Sequence, residues 1–368
     1  MKLKRSLLVF LISLLSFSMT TPLSVGASPQ QVTIKPIDMY LIAGQSNASG
    51  YSTHNGQFTE EFTNVGYAGE TDKNRNTGTA PQRYLNFNQF KWSVTAGLGS
   101  YAAWMGPEYG MAKVFNGLYE GEKKAFIFKS AAGATALRNI SHDFGNWLPP
   151  SKWGDGYVPD GSQAKGYQYH MFVENFKLVY EQLVDNGYLP VVRGMAWMQG
   201  ESDIGYETTY EGLLKLLISD IRADIAEITG DRANLEMPFV IGKIAVFGEV
   251  PNKIGIRKFN EMQDKVASEV INVSTVSTSD LILVDSEGNI KGTDAYHFNG
   301  KDMETLGMRF GNELAKGRVS ELEAEKEEQS NNSETGSSCK GSLGSSLSLC
   351  LGLCAIATGE LLLKKKRK

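Results

Sequence analysis

The chain has 368 residues, 41% hydrophobic and 21% charged, enough apolar content for one large or two small packed domains. Its formal net charge of -4 supplies no field to attract nucleic acid, so no nucleic-acid partner is expected. The three cysteines, Cys339, Cys350 and Cys354, all fall in the C-terminal tail. That excludes a disulfide framework, a thiolate metal site and a cysteine nucleophile from the body of the chain.

In chain order, Lys2, Lys4 and Arg5 precede a short apolar run at residues 7–17 and the small residues Val25-Gly26-Ala27. This order predicts a cleaved secretory signal over 1–27. The folded domain is predicted over 33–317, where strands and helices alternate without an internal repeat. Apolar runs at 39–43, 125–129, 191–198, 239–247 and 281–284 suit strands buried on both faces. Helical stripes lie between and after them: Phe172, Phe176, Val179 and Leu183; Tyr210, Leu214, Leu217, Ile221 and Ile225; and Met303, Leu306, Phe310 and Leu314. Each is a core-facing face. The alternation implies an α/β fold with a mostly parallel sheet covered by helices, whose site belongs at the carboxyl ends of the strands. Two stretches, 51–105 and 138–166, read as long loops carrying Trp92, Trp104, Trp147, Trp153 and Tyr157. Such aromatics suit sugar faces, and equally suit pinning the loops to the core.

Four short motifs follow predicted strands. Gly44-Gln45-Ser46-Asn47 would expose a serine on a strand-to-helix turn, where helix N–H groups can meet an oxyanion; Ser and Asn are also ordinary helix N-caps. Gly133-Ala134-Thr135 is a turn small enough to bring a backbone N–H close to an oxyanion, or simply to pack tightly. Trp197-Met198-Gln199-Gly200-Glu201-Ser202-Asp203 puts an amide at the sheet edge, or is a polar turn built on Gly200. Asp294-Ala295-Tyr296-His297 places an acid and an imidazole on one turn, as a serine nucleophile requires. The other histidines, His54, His142 and His170, lack an acid so placed. One suitable histidine and scattered carboxylates make no recognisable zinc set, so no metal and no cofactor are expected.

Together these motifs resemble the SGNH hydrolases. Within them they are similar to the sialate O-acetylesterase-like branch, which includes the acetylxylan esterases of carbohydrate esterase family six. Gly106-Pro107-Glu108 also matches, and the resemblance covers about residues 36 to 317. It implies a three-layer, flavodoxin-like fold and a serine esterase that removes acetyl groups from an acetylated carbohydrate. It further implies Ser46 as nucleophile, His297 as base and Asp294 as the partner orienting it. Oxyanion donors would be the Ser46 N–H, the Gly133 N–H and the Gln199 side chain, with Asn47 and Glu201 as supports behind them. Gln199 stands where the superfamily usually has Asn, and Ala134 where Gly is common. A surface carbohydrate-binding module without turnover, or a lipase or thioesterase with the same triad, are the rival readings.

After the domain, residues 318–342 are charged and then rich in Ser, Asn and Gly, and read as a polar linker. Residues 343–363 are mostly Leu, Gly, Ser, Ala and Cys, about long enough to span a bilayer. The closing 364–368, KKKRK, would stay in the cytoplasm. The expectation is a secreted protein, from a Gram-positive bacterium by this layout, held at the surface by an anchor that stays in the membrane or is processed.

Overall fold

A computed structural model describes residues 34–53, 56–69, 87–99, 104–119, 124–161, 163–245, 253–281 and 296–335. The segments expected as signal peptide, anchor and basic tail lie outside these residues, as do Asp294, His54 and, beyond Leu281, the strand expected at 281–284. Among the described residues no helix is long and apolar enough to cross a membrane.

Six parallel strands form one sheet in the order β3-β5-β1-β6-β7-β8. They are β1 (Lys35–Gly44), β3 (Val65–Gly69), β5 (Lys124–Ala131), β6 (Tyr188–Met198), β7 (Phe239–Gly242) and β8 (Val273–Val276). The short strands β2 (Ser52–Thr53) and β4 (Trp104–Met105) pair antiparallel apart from it. Side chains alternate along each strand, and the sheet accordingly separates two cores. Met39, Leu41, Phe126, Phe128, Met195, Trp197 and Phe239 point to one face. There they meet α3 (Tyr167–Asp185), α4 (Glu207–Thr229) and α5 (Lys253–Glu269). Tyr40, Ile42, Ile127, Ala196 and Met198 point to the other, covered by α2 (Glu108–Leu118) and α6 (Gly300–Thr335). The result is the three-layer, flavodoxin-like α/β arrangement, and all three expected helical stripes are buried in it.

Two expectations need correction. The stretch 51–105 contains β2, β3 and β4, and β3 completes one edge of the sheet. The stretch expected as a linker from 318 begins as a continuation of α6, which runs to Thr335. Its Glu-rich first half, residues 321–328, favours helix, and Arg318 and Glu321 tie it to the sheet. Arg318 Nε lies 3.1 Å from Asp38 Oδ2 on β1, and Arg193 Nη1 on β6 lies 3.1 Å from Glu321 Oε1.

Candidate active site

The chain leaves β1 for β3 at one side of the sheet and returns through β5 before crossing to β6, so the strand order reverses around β1. Ligands bind in the crevice at such a reversal, beyond the carboxyl ends of the strands. Here those ends are in register, with Gly44 opposite Ala131 and Met198.

Gly44 makes the turn possible. Its φ is 141°, and a Cβ there would lie 2.0 Å from the Met198 carbonyl oxygen. The turn is fastened on both sides: Gln45 N donates to Met198 O at 2.9 Å, and Ala132 N donates to Gly44 O at 3.1 Å. Ser46 then opens α1 (Ser46–Ser49), a single turn ended by Gly50 at φ 99°. Behind α1, Lys129 Nζ donates to the carbonyls of Ser49 (3.0 Å) and Leu98 (2.9 Å) and to Glu108 Oε2 (2.8 Å). Glu108 Oε1 accepts from Gly106 N at 2.9 Å. Both charges of this pair are fully buried.

The Gln199 motif forms a second brace. Gln199 Nε2 donates to Asp203 Oδ2 (2.8 Å), to Thr135 O (3.1 Å) and to Gln45 Oε1 (3.2 Å). Asp203 also accepts from Leu137 N at 2.8 Å and pairs with Arg138 Nε at 3.1 Å. Burial pushes the Asp203 carboxyl up, against the pull of these donors. The Gln199 amide, expected at the oxyanion, is therefore directed into this network and is not part of the cleft lining. Its role here is to lock the turns after β1, β5 and β6 together.

Ser46 and His297 line one cleft of about 420 Å³, with Gly133 and Ala134 from the turn after β5 and Glu201 and Ser202 from the turn after β6. Asn47 lies buried beneath it. Its Nδ2 donates to Glu201 Oε1 and to Tyr296 O, both at 2.9 Å, tying the serine turn to the histidine segment. Burial raises the Glu201 carboxyl above its ordinary range, opposed by its own and Gly200's backbone N–H, by Asn47 and by the charge of His297. The structure thus brings Ser46, Gly133, His297, Glu201 and Asn47 together. Among the described residues, no group of three His, Cys, Asp or Glu side chains is placed to hold a metal ion.

Other lining residues carry no sequence signal. Tyr51, set aside in a loop, stacks on the His297 ring with centroids 5.0 Å apart and planes at 22°. His142 and Phe144 form another wall, with Phe144 N donating to His142 Nδ1 at 3.2 Å. The loop tryptophans turn inward. Trp147 is buried edge-on to Trp197 at 5.0 Å and donates Nε1–H to Thr135 Oγ1 at 3.0 Å. Trp92 stacks on Tyr188 at 5.2 Å, and Trp153 Nε1 donates to Leu148 O at 2.8 Å. These contacts pin the loops to the core.

Among solved structures, one described as NanS is 12% identical with a TM-score of 0.53, covering 78% of this chain and 99% of its own. This likeness concerns the fold. A carbohydrate acetylesterase from Xanthomonas citri is 17% identical (TM-score 0.48; 76% of this chain and 55% of that one). A protein from Arabidopsis thaliana is 15% identical (TM-score 0.47; 77% and 98%). Comparison with curated protein sequences gives no match. Residues 36–316 match the family described as carbohydrate esterase, sialic acid-specific acetylesterase; the chain belongs to that family and is a carbohydrate O-acetylesterase.

Proposed function

We propose that the chain removes O-acetyl groups from carbohydrate by two-step acyl transfer through an acetyl-enzyme. The observation carrying this reading is Ser46 at the start of α1, opening into the same cleft as His297. His297 takes the Ser46 hydroxyl proton as Oγ attacks the acetyl carbonyl. Collapse of the tetrahedral adduct breaks the ester bond, and the departing sugar oxygen takes that proton. Water, deprotonated by His297, then attacks the acetyl-serine, releasing acetate and restoring the serine hydroxyl. Backbone N–H groups of Ser46 and Gly133 hold the oxyanion in both steps. Asp294, outside the described residues, orients His297, and Glu201 contributes a second carboxylate charge on the same imidazole.

Acetylated xylan and O-acetylated sialic acid are the two substrate types to compare. Acetate release from either by the parent, and none by a folded Ser46→Ala variant, is the expected result. Equal release by both proteins overturns the assignment of the nucleophile. The basic start of the chain, its first apolar run and the apolar segment before KKKRK further support a secreted enzyme kept at the cell surface.

A further inference from the structure

An imidazole that shuttles a proton needs its plane fixed as well as its tautomer. A carboxylate bonded to one ring nitrogen restrains that nitrogen, yet leaves the ring free to swing about the bond. In this cleft the plane of His297 is set by a neighbouring ring. Tyr51 lies against it at 5.0 Å and 22°, and itself contacts Trp104 at 5.0 Å with the planes tilted by 50°. The far edge of Tyr51 meets the turn after β5, where a Cβ on Gly133 would lie 2.7 Å from the Tyr51 hydroxyl oxygen. Tyr51 is therefore wedged between the base and the turn proposed to hold the oxyanion.

Its backbone is equally constrained, and by the nucleophile's own helix. Ser49 N donates to Gln45 O and Gly50 N to Ser46 O, both at 2.8 Å. Gly50, at φ 99°, sits so close to Gly99 and Gly106 that a Cβ would lie 2.7 Å from each. Beyond Tyr51, Ser52 and Thr53 pair with Met105 and Trp104. The nucleophile and the ring beneath its base thus belong to one tightly bonded stretch of chain.

We propose that Tyr51 is a positioning residue for the deacetylation: its ring holds the His297 imidazole in register with Ser46. Its π face also favours the imidazolium formed as the serine proton is taken. This rests on the reading of Ser46 and His297 as nucleophile and base. The ring, and not the hydroxyl, carries the role.

The test compares the parent, Tyr51→Phe, Tyr51→Leu, Tyr51→Met and Ser46→Ala in steady-state acetate release, with melting curves as the folding control. Tyr51→Phe is expected to keep kcat within about twofold. A folded Tyr51→Leu or Tyr51→Met is expected to lose about ten- to a hundredfold in kcat with KM little changed, as for a misplaced reacting group. Labelling of Ser46 by a fluorophosphonate, which also needs the base, is expected to slow in parallel. Parent-like kcat in the aliphatic variants, a change confined to KM, or equal losses in Phe and Leu each overturn the proposal. Activity retained by Ser46→Ala would instead overturn the reading beneath it.

Discussion

Ala134 stands at φ 56°, a left-handed conformation, on the rim of the cleft. An L-residue there costs about 1–2 kcal/mol, whereas glycine adds unfolded-state entropy of about 0.5–1 kcal/mol. The conformational cost is the larger. Ala134→Gly is therefore expected to stabilise the fold by about 0.5–1 kcal/mol, read as a higher urea midpoint at unchanged slope. A lower midpoint would mean that the methyl packs to advantage. Glu201 stores free energy of another kind. Its folded-state pKa is raised by burial, so its contribution to stability is complete below the ordinary carboxylate range and is lost as pH rises through the raised value. Glu201→Gln keeps an oxygen for Asn47 Nδ2 and removes the ionisation. Its melting temperature should match the parent's at acid pH and exceed it at neutral pH, while kcat falls. A gap that narrows toward neutral pH would contradict this sign.

Between elements, the buried Lys129–Glu108 pair joins β5, α2 and the end of α1. Removing one partner leaves the other charge buried and unpaired, at a cost of about 3–5 kcal/mol. Lys129→Met should show that loss in urea unfolding, and adding Glu108→Gln should recover part of it. No recovery would place the loss in the Ser49 and Leu98 carbonyls instead. This pair illustrates what a sequence conceals. The strands β1, β5, β6 and β7 were legible because both faces are buried, leaving continuous apolar runs. β3, Val-Gly-Tyr-Ala-Gly, is short and interrupted by glycine, and β8, Val-Ser-Thr-Val, is an edge strand with one fully buried residue. Neither offers a run to read. The serine turn was legible through its place at the end of β1, whereas the strand expected at 281–284, on which the histidine turn was placed, lies outside the described residues beyond Leu281. Tyr51 and His142 were not legible, since only the folded loops bring them to the cleft. The direction of the Gln199 amide was hidden for the same reason: its acceptors, Asp203, Thr135 and Gln45, converge from three turns.

Across the whole molecule, α6 runs from the cleft toward the amino ends of the central strands. His297 lies just before its first turn, Leu314 packs against Gly194, and Arg318 reaches Asp38 near the start of β1. Arg318, well along α6, thus lies at the end of the sheet remote from the cleft. The family match ends at 316, but the physical edge of the domain lies further on. Asp38 gathers Arg193 Nε at 2.7 Å, Arg318 Nε at 3.1 Å and the Tyr119 hydroxyl at 2.7 Å. Glu321 takes the other ends of both arginines, at 3.1 and 2.8 Å. A chain ending at 317 keeps Arg193 and Tyr119 on Asp38 and loses the other two groups. The loss should therefore be about 1–3 kcal/mol, less than for a buried pair stripped of its only partner. Residues 28–317 should melt a few degrees below residues 28–324, with the same kcat at a temperature where both are folded. Equal melting would show the clamp to be solvated surface pairing, which contributes little. A lower kcat in the shorter chain would show instead that α6 transmits strain from this edge to His297 at its other end.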